Sequence, residues 1–183
     1  MANVFIFTVN DEPAGRRFST TIQNGYDMGQ LLSHIQDESH RDALEQMYAG
    51  GKCYLWGEAE ESGKTRSEWE IMCEGDLALG YSENAIISVS RVMYKMDDPA
   101  LADHLWGKDD GTSFRLIFFM TMPHLCNVEI VPRMLTYLDP PYDNLSRVGP
   151  DKLRNILTHY ISLEDFARLL FGEDFPTSLR HSL

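Results

Sequence analysis

The sequence predicts a mixed α+β protein with a curved, barrel-like mixed β-sheet flanked by helices and followed by C-terminal helices. Three observations lead to this fold class. An apolar strand opens the chain, about six strand-like segments fill its middle, and helical segments close it. Because the strands are not interleaved with helices, the alternation that a parallel α/β sheet requires is absent.

The first part of the chain is predicted to hold one strand and two helices. Residues 4–9 form an uninterrupted apolar run, which the turn-forming residues 10–15 end. Asp27 is placed to cap a first helix that carries apolar residues on one face, and Ser39 opens a second helix. The glycines at 50–51 then end the helical region.

The middle of the chain is predicted to consist mainly of strands. A short helix from Pro99 to Trp106 interrupts them. The most apolar segment, residues 114–122, is expected to be the central strand. The predicted strands cover residues 52–57, 69–73, 77–81, 85–95, 114–122 and 128–131.

Two helices are predicted after a loop rich in turn-forming residues. The first covers about residues 150–160, and the second begins with a capping box of Ser162 and Asp165 and ends at Gly172. With 183 residues, 43% of them hydrophobic, the chain is expected to form a single domain over residues 1–183. Its core would cover about residues 1–135 and its C-terminal helical part about residues 149–172.

The composition favours a cytoplasmic protein that holds neither a metal nor another cofactor. No apolar run approaches the ~20 residues of a membrane span, and the N-terminus lacks the basic region of a signal peptide. The three cysteines and six histidines are scattered without ligand spacing. This distribution predicts reduced thiols and no metal site.

The net charge of −12 opposes binding to nucleic acid unless the charges are segregated. Basic residues do concentrate in a few places, among them the adjacent residues 16–17. A solvated surface is the simpler interpretation of such charge runs, so they permit an interaction face without establishing one. The cations predicted to hold phosphates are Arg91, Lys95, Arg133 and Arg147.

Two tryptophans are the most informative residues of the chain. Trp56 and Trp106 each end an apolar run, and each is followed by a glycine and then by polar, charged sequence. A ring at the lip of a pocket has this pattern, with its body on the core and one face free to stack a flat ligand. The alternative is that both rings are core anchors at the ends of strands or helices, and the tryptophans alone do not decide between the two.

Two other motifs suggest enzymes. Residues 57–65 nearly match a phosphate-binding loop, but five residues stand where the motif needs four and a strand is predicted to follow, so an NTPase is rejected. Residues 139–142, Asp-Pro-Pro-Tyr, resemble the signature of amino methyltransferases that act on adenine or cytosine. That chemistry also needs a Gly-x-Gly turn for the methyl donor, which the sequence lacks, so a chance match is preferred.

Taken with their flanking segments, the tryptophans give the chain a resemblance to the PUA-like superfamily, in particular to its YTH and EVE branches. The matching segments are the opening strand with the polar turn after it, the Leu-Trp pairs at 55–56 and 105–106, and the strand at 114–123. The resemblance covers about residues 1–135. Domains of this kind also stand at the amino termini of McrBC-type methyl-directed restriction proteins.

The chain departs from the YTH pattern after the second tryptophan. The loop there is shorter, and no aromatic residue stands at positions 109–110 to supply the third wall of the cage. Phe114, Tyr81 or Trp69 are the candidates to close the cage, which otherwise stays two-sided. The strongly basic surface that is usual in the family is also missing.

The resemblance implies a non-catalytic reader of a modified base, most of all N6-methyladenine in DNA, flipped into an aromatic cage as the targeting module of a restriction or defence system. The implied partners are methylated DNA, with RNA as a possibility, and a GTPase motor and nuclease on other domains or subunits. The alternatives are an adenine-specific methyltransferase fragment built on residues 139–142 and an acidic protein-interaction module. The residues expected to contact the base are Trp56, Trp106, Asn10, Asp11, Gly57 and Tyr81.

Overall fold

A computed structural model describes residues 2–60 and 63–172 of the chain. Within these residues, one mixed sheet of eight strands is surrounded by seven α-helices. The strands are β1 (Val4–Thr8), β2 (Tyr26–Asp27), β3 (Lys52–Glu58), β4 (Leu77–Ser82), β5 (Ala85–Asp97), β6 (Leu116–Met120), β7 (His124–Glu129) and β8 (Ser146–Arg147).

The helices lie before, between and after the strands. A π-helical turn at Ser19–Gln23 continues directly from the first helix, and a 3₁₀ turn lies at Pro132–Thr136. The α-helices are α1 (Glu12–Phe18), α2 (Met28–His34), α3 (Glu38–Met47), α4 (Gly63–Ile71), α5 (Pro99–Trp106), α6 (Pro150–His159) and α7 (Leu163–Phe171). No helix of the described ranges is both long and apolar enough to cross a bilayer.

The sheet is curved and does not close into a barrel. Its strands run in the order β2-β3-β6-β5-β4-β1-β8, and β7 pairs with β5 beside this path. The β1–β4 pair is parallel and the other pairs are antiparallel. Register irregularities interrupt three of the ladders in which β5 takes part. Bulges bend a strand and increase its twist, so the irregularities in the long β5 curve the sheet.

Three apolar clusters fill the space around the sheet. Alternate residues of β1 point to opposite faces, so that Val4 and Ile6 pack with the C-terminal helices while Phe5 and Phe7 pack on the other side. The second cluster also contains Trp56, and the third lies beneath α2, α3 and α5. The predicted mixed α+β class is therefore confirmed, and the C-terminal helices share the core of the sheet.

Most of the predicted helix signals act as expected. Asp27 caps α2 by accepting a hydrogen bond from the backbone N–H of Gln30, and α5 covers the predicted residues from Pro99 to Trp106. Ser162 caps α7, which ends at Gly172 in the left-handed conformation. The start of α3 differs by one residue, because Asp37 provides its cap.

Two segments of the prediction are wrong. Residues 10–15 are predicted to form a turn, but the chain from Glu12 to Phe18 forms α1, because the Asp11 carboxylate accepts the Ala14 N–H at 2.7 Å and Pro13 suits a first helical turn. Residues 69–73, interpreted as a strand, include the end of α4, which follows the loop that resembles a phosphate-binding motif. The loop itself includes residues 61–62, outside the described residues, and its spacing still excludes the motif.

Candidate functional site

A cleft of about 330 Å³ opens where α1 and its π-helical turn face the end of α5. Three cations and one carboxylate line it, so its charge is opposite to that of the whole chain. The lining residues are Pro13, Arg16, Arg17, Thr20, Leu105, Trp106, Lys108, Asp109 and Phe114. A basic, partly aromatic cleft on an acidic protein is the charge segregation that binding to a polyanion requires.

Arg17 extends from the last turn of α1 across two aromatic rings. Its guanidinium carbon lies 3.6 Å from the centroid of the Phe114 ring and 5.0 Å from that of the Trp56 ring. Its Nε atom is buried and has no hydrogen-bond partner among the described residues. Burial lowers the pKa of Arg17, although the carboxylates of Glu58, Asp11 and Asp109 act in the opposite direction. The cation is thus partly dehydrated, and it stacks on aromatic rings near three carboxylates.

Trp106 forms one wall of the cleft at the C-terminal end of α5. The ring is half-buried, and its benzo edge lies directly on the backbone of Gly57. A Cβ at Gly57 would overlap both the Trp106 ring and the Phe114 carbonyl oxygen, so only glycine allows this close approach. The Trp106 Nε1 atom is buried and, within the described residues, has no hydrogen-bond partner. Gly107 then ends α5 with a positive φ of 72°.

Trp56 lies in the core beneath this region, and the expected pair of facing indoles is not present. The Trp56 ring is 1% exposed, and its Nε1–H donates to the buried carboxylate of Glu58 at 2.9 Å. Successive residues of a strand point to opposite faces. Trp56 therefore points away from Trp106, which packs on the Gly57 side of β3. Trp56 is therefore a core anchor, whereas the Trp106 ring is partly exposed.

The other residues expected to contact the base lie in different places. Asn10 is exposed, and Asp11 is used as the cap of α1 beside Arg17. Gly57 serves as the floor for Trp106. Tyr81 is buried in the cluster against the C-terminal helices, where its ring meets Tyr142 edge to face. Of the aromatic residues proposed to close the cage, Phe114 lines the cleft. Trp69 packs in the core, where its Nε1–H donates a hydrogen bond to the Ile117 carbonyl oxygen.

Three of the four cations predicted to hold phosphates make hydrogen bonds or ion pairs with other residues of the protein. Arg91 bridges the Gly75 carbonyl oxygen and the Glu164 carboxylate of α7. Lys95 donates to two carbonyl oxygens at the end of α4, and burial lowers its pKa. Arg147 pairs with Glu68 at 3.2 Å. Arg133 is exposed on the 3₁₀ turn and stays a predicted phosphate contact. None of the four lines the cleft.

The cleft residues that the sequence interpretation missed are Arg16, Arg17 and Lys108. The sequence marks the adjacent arginines as a basic concentration, but it assigns them no element because α1 is not predicted. Asp11, Pro13 and the i,i+4 pair of Glu12 and Arg16 are the signals of that helix. Lys108 lies in the short segment after α5 and pairs with Asp103 at 3.4 Å.

The diproline turn at residues 139–142 makes its contacts within the fold. The Tyr142 hydroxyl accepts the Asp139 N–H at 2.6 Å, and the ring is buried against Tyr81. Burial raises the pKa of Tyr142 to about 12. The tyrosine therefore offers no face for an extruded base, and the interpretation as a methyltransferase motif has no support here. Across the described residues, no group of three or more potential ligands is placed to hold a metal ion.

Comparison with known proteins gives one informative result. No family model and no curated protein matches the sequence. Among solved structures, the fold is similar to that of the N-terminal domain of Thermococcus gammatolerans McrB, which was solved bound to m5C DNA. The TM-score is 0.60 at 17% sequence identity, over 86% of this chain and 96% of that chain. At this identity the likeness concerns the fold alone, and the predicted resemblance in fold to a McrB-type N-terminal domain is confirmed.

Proposed function

We propose that this chain is a non-catalytic domain that binds a modified base in DNA, and that the base enters the cleft between α1 and α5. One observation carries the proposal: the cleft combines a half-buried indole face with two buried donors, Arg17 Nε and Trp106 Nε1, that lack partners within the described residues. Buried donors without acceptors are costly, so a ligand that supplies acceptors is favoured. A nucleobase supplies both a flat face and acceptor atoms.

The charge of the cleft supports a nucleic-acid ligand. Arg16 and Lys108 line the cleft, and each has one ion-pair partner that a phosphate can replace: Glu12, which is exposed, and Asp103, which is partly buried. An exposed pair such as that of Arg16 and Glu12 contributes only about 0–1 kcal/mol, so its exchange costs little. The acidic remainder of the surface would keep the duplex from binding elsewhere on the domain.

The McrB domain of similar fold was solved with m5C DNA, which supports DNA with a modified base as the ligand class here. Within this class, the sequence favours N6-methyladenine. Either base must leave the duplex to reach a cleft of this size, at a cost of a few kcal/mol. We further propose that the domain targets a restriction system whose GTPase motor and nuclease belong to other domains or subunits.

The proposal is tested by titrating labelled duplexes of one sequence that carry no modification, N6-methyladenine or 5-methylcytosine. Wild-type protein is expected to prefer one modified duplex. Trp106→Ala removes the stacking wall. It should reduce the preference, measured as the ratio of the affinities for the modified and the plain duplex, by about 5- to 150-fold, which corresponds to ~1–3 kcal/mol. Met122→Ala is the matched control, because Met122 is 72% exposed outside the cleft and its removal should leave binding unchanged.

Circular dichroism and thermal melting of each variant separate lost binding from lost folding. Equal affinity for all three duplexes would contradict the proposal and favour the acidic protein-interaction module. Unchanged discrimination in folded Trp106→Ala would contradict the placement of the base in this cleft. Preference for the N6-methyladenine duplex would support the sequence-based choice, and preference for 5-methylcytosine would replace it.

A further inference from the structure

The guanidinium of Arg17 occupies a position in which a flat ring would stack. Its carbon lies 3.6 Å above the centre of the Phe114 ring, and Trp56 stands 5.0 Å away on the same group. A guanidinium is planar and stacks on aromatic faces as a base does. Resting on the proposed function, we propose that a bound base takes this position: it displaces Arg17, stacks on Phe114 and thereby uncovers Trp56.

The environment of the Arg17 side chain favours its displacement. Its Nε has no acceptor within the described residues although the atom is buried, and a buried polar group without a partner is unfavourable. Burial lowers the pKa of Arg17, although three carboxylates act in the opposite direction. A flat base can take over the stack on the two rings. The exchange therefore replaces a poorly solvated cation by a neutral ring.

The path for the exchange is short. Arg17 and Phe114 both line the cleft, and the Arg17 guanidinium lies over the Phe114 ring and beside Trp56, which does not line the cleft. Rotation of a long side chain at the end of α1 brings the guanidinium to the rim, next to Arg16 and Lys108. At the rim the cation regains water and stands where phosphates of a bound strand would lie. The adjoining π-helical turn at Ser19–Gln23 is of a type often found at functional sites.

The exchange also gives a source of selectivity. An incoming base must stack on Phe114 better than the guanidinium does, and a methyl group adds contact area to the stack. Plain bases compete less well with Arg17 than modified ones. On this account Trp56, 1% exposed in the free protein, becomes a wall of the site only after ligand binds. Arg17 is thus a positioning residue, because a base enters the site only if it stacks on Phe114 better than the guanidinium does.

The test compares Arg17→Ala with Arg16→Ala by titration with the plain and modified duplexes. Both variants lose one cation from the same end of α1, but only Arg17 stacks on the rings. Arg16→Ala should weaken binding of every duplex by a similar factor, about threefold, through the phosphate term alone. Arg17→Ala should bind the modified duplex several-fold more tightly than Arg16→Ala does, and its preference over the plain duplex should decrease. Arg17→Lys keeps the charge without the plane and should also bind more tightly than Arg16→Ala.

The outcomes are distinguishable. If wild type discriminates modified DNA but Arg17→Ala and Arg17→Lys bind it more weakly than Arg16→Ala, the proposed function stands and the displacement of Arg17 is excluded. If the Arg17 variants bind the modified duplex more tightly than Arg16→Ala does, and Arg17→Ala prefers it less strongly over the plain duplex, the displacement is supported. If neither wild type nor any folded variant discriminates the duplexes, the proposed function itself fails, and this inference fails with it. Thermal melting confirms folding, and Arg17→Lys serves where Arg17→Ala is unstable.

Discussion

Two regions of this molecule carry sequence features of base recognition, the cleft between α1 and α5 and the diproline turn at residues 139–142. In the turn the Tyr142 hydroxyl accepts a backbone N–H, its ring is packed edge to face on Tyr81, and Asp139 pairs with Lys152. In the cleft, Trp106 is half-buried, and two buried donors have no partner within the described residues. The polar groups of the turn therefore have partners in the fold, whereas two donors of the cleft do not.

This difference separates structural from functional use of an aromatic motif. A buried polar group without a partner lowers stability, so a ligand that supplies an acceptor beside an open cleft is favoured. A motif whose groups are all satisfied within the fold needs no ligand. The contrast makes mutations at the two regions act on different measured quantities, namely stability at the turn and binding at the cleft.

Trp56→Ala should have the largest effect, and it acts on stability. Loss of a 1% exposed indole from the core, together with its hydrogen bond to Glu58, is expected to lower the free energy of unfolding by ~3–5 kcal/mol. Urea unfolding at neutral pH measures the change, with Trp56→Phe as the variant that keeps a ring. A folded, fully stable Trp56→Ala would show that this residue is not a core anchor.

Gly57→Ala should disturb the cleft and the fold together. The added methyl group overlaps the Trp106 ring and the Phe114 carbonyl oxygen, and overpacking of this kind costs ~1–3 kcal/mol. Because Trp106 has to move, binding to modified duplexes should decrease as well. Gly63→Ala is a control with open space at the added atom. Equal behaviour of the two variants in unfolding and binding would contradict the close packing of Trp106 on β3.

Tyr142→Phe should lower stability by ~1 kcal/mol, because the Asp139 N–H loses its acceptor, and should leave duplex binding unchanged. The variant also changes the pH dependence. The pKa of Tyr142 is raised in the folded state to about 12, so its contribution is complete below the unfolded pKa near 10 and is lost as pH rises through 12. Wild type should therefore lose more stability than Tyr142→Phe between about pH 10 and 12. A binding defect in this variant would return the turn to the list of candidate sites.

The smallest expected effect compares Arg16→Ala with Arg133→Ala. Arg16 lines the cleft and Arg133 lies on the 3₁₀ turn, where it was predicted from sequence to hold phosphate. Duplex affinity measured against salt concentration should lose about one unit of slope for Arg16→Ala and less for Arg133→Ala. An equal loss for both would extend the DNA contact to the second region.

Sequence patterns predicted most of the fold because local signals there agree with tertiary packing. The apolar run of β1, the cap of Asp27 and the capping box at Ser162 all define elements that the structure contains. The misassigned end of α4 shows the opposite case. Trp69 and its neighbours have strand-like composition, and their helix is fixed by contacts with residues far along the chain, such as the Ile117 carbonyl oxygen.

The candidate site was only partly predictable. Trp106 lines the cleft, and its contact with a base stays a prediction. Arg17 is absent from the sequence-based site because its position depends on α1, which the turn-forming residues 10–15 do not predict. The opposite orientation of Trp56 and Trp106 depends on how α5 packs on β3 through Gly57, and no pattern within either segment encodes this contact.

By itself, the sequence determined the α+β class, the ends of most helices and the presence of two unusual tryptophans, because these follow from local periodicity, caps and composition. Only the tertiary structure decided which tryptophan is buried, which cations are free of internal partners and where the donors without acceptors meet. The physical reason is that burial and hydrogen-bond saturation are properties of neighbours in space, and residues 17, 57, 106 and 114 become neighbours only when the sheet and its helices assemble.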